Sequence, residues 1–202
     1  MRTNFLPSAL LTAMILSVGG PMACAQEPQP TPSRFQITST DLAVTYTTLR
    51  STVTPSGNEF WLKGGSIDAA ATFRHFGIAL NLSGDFASSI APGVNLDELS
   101  AMIGPRYTRR VHTKHESRFF IEVLGGGVRG FDSAFPKSTG FVTRAASFTY
   151  QAGGGWDVQL TKHIAIRAIE ADYVRSYLPN NGNDTQSHLR LAFGVCYHSG
   201  KP

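Results

Sequence analysis

The sequence predicts an all-β fold, an antiparallel up-and-down transmembrane β-barrel of eight strands that follows a cleaved signal peptide. Three observations point there. Apolar and polar residues alternate with period two over segments of roughly ten residues between Ile37 and Tyr197. The links between those segments are alternately short and long, and aromatic residues gather near the segment ends. Helical periodicity is absent.

The amino terminus sets the compartment. Arg2 gives a positive start, Leu6 to Val18 is an apolar run short for a bilayer span, and Ala23-Cys24-Ala25 supplies small residues before Gln26. Residues 1–25 therefore read as a signal peptide. The competing reading, a lipid-modified Cys24, fits less well because Pro21-Met22-Ala23 lacks the aliphatic residue and small pair of lipoprotein signals. Residues 26–37 are rich in Pro and polar residues and read as an extended periplasmic linker, which leaves residues 38–199 for one barrel domain. Processing after Ala25 removes Cys24 and leaves Cys196 without an intramolecular partner, so stability has to come from the fold rather than from a disulfide.

Net charge is +4 with pI near 9.3, but the Lys and Arg residues are scattered, which argues against a nucleic-acid partner. The exception is Arg109 to Arg118, RRVHTKHESR, which reads as a solvated turn with contact to anionic lipid head groups as the functional alternative.

The strands follow in order. Leu42, Val44 and Tyr46 oppose Thr45 and Thr47 in the first. Ile67, Ala69, Ala71 and Phe73 oppose Ser66, Asp68, Ala70 and Thr72; Ile78, Leu80, Leu82 and Phe86 oppose Asn81, Ser83 and Asp85. Leu99, Ala101, Ile103 and Tyr107 oppose Ser100, Gly104, Arg106 and Thr108, and Phe119, Ile121 and Val123 oppose Glu122. The cleanest segment runs from Ser147 to Leu160, where Phe148, Tyr150, Trp156 and Val158 share a face opposite Thr149, Gln151, Asp157 and Gln159. In the last, Leu189, Leu191, Phe193, Val195 and Tyr197 oppose His188, Arg190 and Cys196. One segment breaks the rule: Arg167 has the parity of Ile169 and Tyr173, whereas Glu170 and Asp172 have the other. Either a β-bulge near Ala168 turns Arg167 inward, or Arg167 snorkels along the outer face.

His75, Thr113 to His115 and Thr161-Lys162 are tight links, while residues 50–59, 87–97, 129–146 and 176–186 read as longer polar excursions. Short turns on one rim and long loops on the other are the asymmetry of an outer-membrane barrel, with turns in the periplasm. Alternation alone does not say which face is inside, so a soluble lipocalin-like ligand-binding barrel is the competing architecture. Directing Asp68, Asp85, Arg106, Glu122, Asp157, Glu170, Asp172 and Arg190 into a polar lumen lets opposite charges pair and leaves the apolar face for lipid. The aromatics then form two girdles: Phe60, Trp61, Phe86, Phe148, Tyr150, Tyr173 and Tyr177 on the loop side, and Phe73, Phe76, Tyr107, Phe119 and Tyr197 on the turn side.

Residues 153–173, GGGWDVQLTKHIAIRAIEADY, resemble the penultimate hairpin of the outer-membrane protein A transmembrane-domain family, and GPRYTRR at 104–110 is similar to the end of the fourth strand in small barrels of that superfamily. The resemblance implies an outer-membrane location in a Gram-negative-type bacterium and insertion by the barrel-assembly machinery. The chain departs from it in two respects: no peptidoglycan-binding domain accompanies the barrel, and the end reads CYHSGKP instead of closing on Phe, so Leu191, Phe193 and Tyr197 have to serve as the assembly signal.

A barrel of this size is filled by its own side chains, so the expected role is a plugged scaffold for envelope integrity or surface interaction, with a narrow or gated ion path as the alternative. The longest excursion, residues 129–146, carries Phe135 and Phe141, both expected to be exposed and available for surface recognition. Expected partners are outer-membrane lipids and lipopolysaccharide, with the chain a monomer. No catalytic group is expected: His188 with Ser187, His198 with Ser199, and His163 fall on different rims. Neither Gly125-Gly126-Gly127 nor Gly153-Gly154-Gly155 precedes a helix, and the six His residues and Cys196 lack ligand spacing, so no cofactor and no metal is expected.

Overall fold

Among the described residues of the computed structural model, ten strands follow one another: β1 Ser39–Ser51, β2 Phe60–Phe73, β3 Phe76–Ala91, β4 Val94–His112, β5 Glu116–Phe131, β6 Phe135–Lys137, β7 Gly140–Val142, β8 Ala145–Gln159, β9 Ile164–Ser176 and β10 Gln186–Gly200. The structure describes residues 37–51, 60–91, 94–112, 116–137, 140–180 and 184–200. The signal peptide, all but the end of the linker, residues 52–59 of the first excursion and the turn at Thr113 to His115 lie outside them.

Eight strands close into a barrel in the order β1-β10-β9-β8-β5-β4-β3-β2, and every neighbouring pair is antiparallel. The seam is continuous, with β1 and β10 paired from Ser39 with Gly200 to Ser51 with His188. Closure leaves the wall no free edge. The remaining strands, β6 and β7, form a small hairpin within the 129–146 excursion, pairing Phe135 with Val142 and Lys137 with Gly140. The wall strands run from 13 to 19 residues, longer than the roughly nine to eleven a tilted strand needs to cross a bilayer. They are therefore long enough to cross a bilayer with residues to spare.

The alternation resolves as apolar outside and polar inside. Val44 is 60% exposed and Ile121 64%, while Arg106 and Arg167, on the inner face, are 2% and 1% exposed. That is the reverse of a lipocalin, whose charged face meets water, and it is what hydrocarbon around the wall requires. Trp61, Phe86, Phe148, Tyr173 and Tyr177 stand on the outside of the loop end, and Phe76, Phe119 and Tyr197 on the outside of the turn end. Adjacent strands pair these rings: Phe119 stacks on Trp156 at 5.6 Å and Phe76 meets Tyr107 edge-on at 5.2 Å.

Three expectations are corrected. Phe60 has inward parity and packs against buried apolar residues instead of joining the girdle. Residues 87–97 are not a long excursion: β3 runs to Ala91, β4 starts at Val94, and Ala87 still pairs with Leu96. Phe135 is 3% exposed whereas Phe141, its diagonal neighbour in the β6-β7 hairpin, is 72% exposed. The hairpin presents one face to the barrel, and Phe135 lies on it.

Candidate functional site

The inner face of the wall carries the chemistry. β9 shows how local sequence places it. Trp156 of β8 pairs with Ile169 and Asp157 with Arg167, so Ala168 is an extra residue on β9; β10 meets the same irregularity between Ala192 and Gly194. Ala168 and Ile169 both face outward, and the side chains on either side of them, Arg167 and Glu170, both face inward. The bulge thus removes the parity conflict, and the snorkelling alternative for Arg167 is excluded by its burial.

Arg167 then becomes the hub of the lumen. Its Nε donates to Asp157 Oδ1 at 2.9 Å, and its Nη1 donates to Glu170 Oε2 at 2.6 Å and lies 3.5 Å from Asp68 Oδ1. Asp68 also accepts from Arg106 Nη2 at 2.6 Å, and Arg106 Nε donates to Glu122 Oε2 at 2.7 Å. On the other side, Glu170 and Asp172 each accept from Arg190 Nη1 at 3.1 Å. Ser66 accepts from Arg190 Nη2 at 2.7 Å, while Gln151 accepts from Arg190 and donates to Glu122. Seven of the eight sequence-expected lumen residues are thereby linked through Arg167, which the set had omitted. The eighth, Asp85, accepts a hydrogen bond from Thr47 and stands nearer the loop end. The linked residues come from β2, β4, β5, β8, β9 and β10, so the network ties opposite sides of the wall together.

Phe120 completes the layer. Its ring lies between two guanidinium groups, 4.3 Å from the Arg106 carbon and 4.4 Å from that of Arg167. Each cation rests on a face of negative potential, an attraction that grows when both are out of water. Gly155 makes room for the ring: a Cβ there would lie 2.6 Å from Phe120 Cζ. The parity Phe120 shares with Glu122 was the available sequence signal for its inward direction.

Above this layer the loop end is closed by apolar side chains. Leu49, Leu62, Ala87, Leu96, Val128, Phe135 and Leu178 form one buried cluster, with Phe60, Val142 and Ala145 packed against it. The Phe135 ring sits over Gly130, where any Cβ would meet it at 2.5 Å. Between cluster and ion pairs a cavity of about 20 Å³ remains, lined among others by Asp85, Glu98, Thr149, Ser176 and His188. That is room for about one water molecule. At the turn end Asp41 accepts from Arg118 Nη1 at 3.1 Å and lies 2.6 Å from His198 Nδ1.

Carboxylate oxygens of Glu122, Glu170 and Asp172 lie within 4.8 Å of one another. All three are engaged by arginines, Glu122 by Arg106 and the other two by Arg190, so the cluster is charge-paired from within the protein. Of the histidines considered for catalysis, His188 points inward near the loop end, while its neighbour Ser187 contacts Tyr173 Oη at 2.9 Å on the outer face. His198 is at the opposite end, with His163 Nδ1 3.1 Å from its carbonyl oxygen. The structure brings no serine to either ring among the described contacts.

No family model and no curated protein matches the chain. Solved structures do match. Neisserial surface protein A superposes with a TM-score of 0.57 at 13% identity, over 78% of this chain and 96% of that one. The chain has the eight-stranded barrel fold of that protein. Ail, the attachment invasion locus protein of Yersinia pestis, crystallised with the heparin analogue sucrose octasulfate, gives a TM-score of 0.53 at 12% identity, over 81% of this chain and 100% of that one. The wall architecture is thus shared with both proteins.

Proposed function

We propose that the chain is a closed outer-membrane scaffold that supports envelope integrity or surface interaction and conducts no ions at rest. The observation that carries this reading is the run of buried ion pairs from Arg106 through Asp68, Arg167 and Glu170 to Arg190, roofed by the Phe135 cluster. An ion crossing the lumen would have to part at least one desolvated guanidinium-carboxylate pair and then traverse an apolar layer. On this reading the barrel resides in the outer membrane, inserted by the barrel-assembly machinery, as a monomer surrounded by phospholipid and lipopolysaccharide.

The surface-interaction arm is favoured by one further observation: Phe141 is 72% exposed on the β6-β7 hairpin, whose other face is anchored by buried Phe135. Likeness in fold to a protein named for attachment and invasion supports looking for a partner at this loop. Planar-bilayer recording of the purified barrel tests the closed state, for which a flat baseline at moderate voltage is expected. Regular unitary current steps from the unmodified protein would favour the gated path instead.

A further inference from the structure

The turn-side rim holds a pocket of about 240 Å³ between the ends of β4 and β5, the β8-β9 turn and the end of β10. Its lining includes Arg110, Arg118 and Lys162 together with Ser117, Gln159 and Glu116. Arg110 and Arg118 are direct partners across the β4-β5 ladder, a placement in which like charges repel. Lys162 adds a third cation from the turn, and among the described residues one carboxylate, Glu116, shares the lining. Arg118 is held from the lumen side by Asp41 at 3.1 Å and by contact with His198 Nδ1, also at 3.1 Å. Its guanidinium is therefore positioned in advance. We infer that this pocket binds a phosphate-type anion through Arg110, Arg118 and Lys162.

An anion between the two arginines turns a repulsive cross-strand pair into two attractive contacts. The forked donors of guanidinium suit phosphate oxygens, and Lys162 supplies a compact third charge. The pocket volume fits a phosphate or pyrophosphate group but not the body of a lipid. That chemistry has two sources at this rim: the head group of an anionic phospholipid in the adjoining leaflet, or a soluble phosphate in the water below. Arg110 and Arg118 of the basic stretch thus serve a defined pocket. Neither a closed nor a conducting lumen is required for it.

The test uses the folded full chain in phosphatidylcholine nanodiscs, titrated with inorganic pyrophosphate at low ionic strength by calorimetry. Saturable binding is expected, and Arg110→Gln and Lys162→Gln should each weaken it about tenfold, the effect of losing one charge-assisted hydrogen bond. Arg74→Gln, an exposed cation at the β2-β3 turn, is the control and should leave binding unchanged. A shift between boiled and unheated gel mobility checks that each variant is folded. Repeating the titration in phosphatidylglycerol discs assigns the source: loss of pyrophosphate binding by competition identifies the lipid head group, and retention identifies soluble phosphate. Absence of saturable binding in phosphatidylcholine discs overturns the inference, as does a weakening by Arg74→Gln equal to that of the pocket variants.

Discussion

Arg167 and Glu170 are three residues apart on one strand, yet both point into the barrel and their side chains meet at 2.6 Å. In a regular strand residues three apart face opposite sides. Ala168, the extra residue of the bulge, makes the pair possible and so determines the charge layout of the lumen. Deleting Ala168 should restore strict alternation with Arg167 and Glu170 both still inward, now two residues apart, so the heat-modifiable folded band on gels should persist. Deleting Ala171 instead makes Glu170 and Asp172 consecutive, so one of the two has to turn toward lipid and loss of that band is the expected result, whereas deletion of Leu160 in the β8-β9 turn should be tolerated better.

Arg167→Met should destabilise the barrel by about 3 to 5 kcal/mol, because Asp157, Glu170 and Asp68 then lose a shared partner in a buried setting. Urea unfolding from lipid vesicles, followed by tryptophan emission, measures it. Replacing Arg167 together with Asp157 by apolar residues should be less damaging than the single change.

Phe120 and Gly155 should couple. Gly155→Val drives a side chain into the Phe120 ring and is expected to destabilise by about 1 to 3 kcal/mol as overpacking does. Adding Phe120→Ala should recover part of that loss. A double-mutant cycle with no coupling energy would show that the ring does not need the space the glycine leaves.

The two phenylalanines of the long loop should separate cleanly. Phe135→Ala removes a buried ring from the roof, with an expected loss of about 3 to 5 kcal/mol by core precedent, and should raise bilayer current noise. Phe141→Ala touches an exposed site and should change stability by less than about 0.5 kcal/mol. Any effect of Phe141→Ala on surface attachment would therefore report recognition.

The wall was legible from sequence because period two is a direct consequence of strand geometry: Val44, Ile67, Leu82 and Val195 alternate with Thr45, Asp68, Ser83 and Cys196 whatever the fold around them. The lumen was less so. Arg167 declared itself by its wrong parity, but parity alone fits either a bulge or a snorkelling side chain, and only the pairing of β8 with β9 separates them. The roof was missed for a different reason. Leu49, Leu62 and Leu96 stand at inward positions near strand ends, where a rule that expects polar residues inside treats leucine as noise. Phe135 was misjudged because its burial depends on a hairpin folding back over the lumen, a long-range packing event with no local signature.

The lipid face can be probed by charge. Ile103 is 58% exposed near the middle of β4, and Ile103→Arg should cost about 2 to 4 kcal/mol of stability in a bilayer. The same replacement at exposed Phe141, beyond the bilayer, should be close to neutral, as measured by the same urea unfolding.

The orientation of the wall underlies every step above, and Trp156 reports it directly, being on the outer face at 39% exposure. With Trp61 replaced by Phe to remove the other indole, Trp156 emission should be quenched by brominated acyl chains in vesicles and be insensitive to aqueous iodide. Strong iodide quenching with no response to brominated lipid would place that face in water and contradict the account.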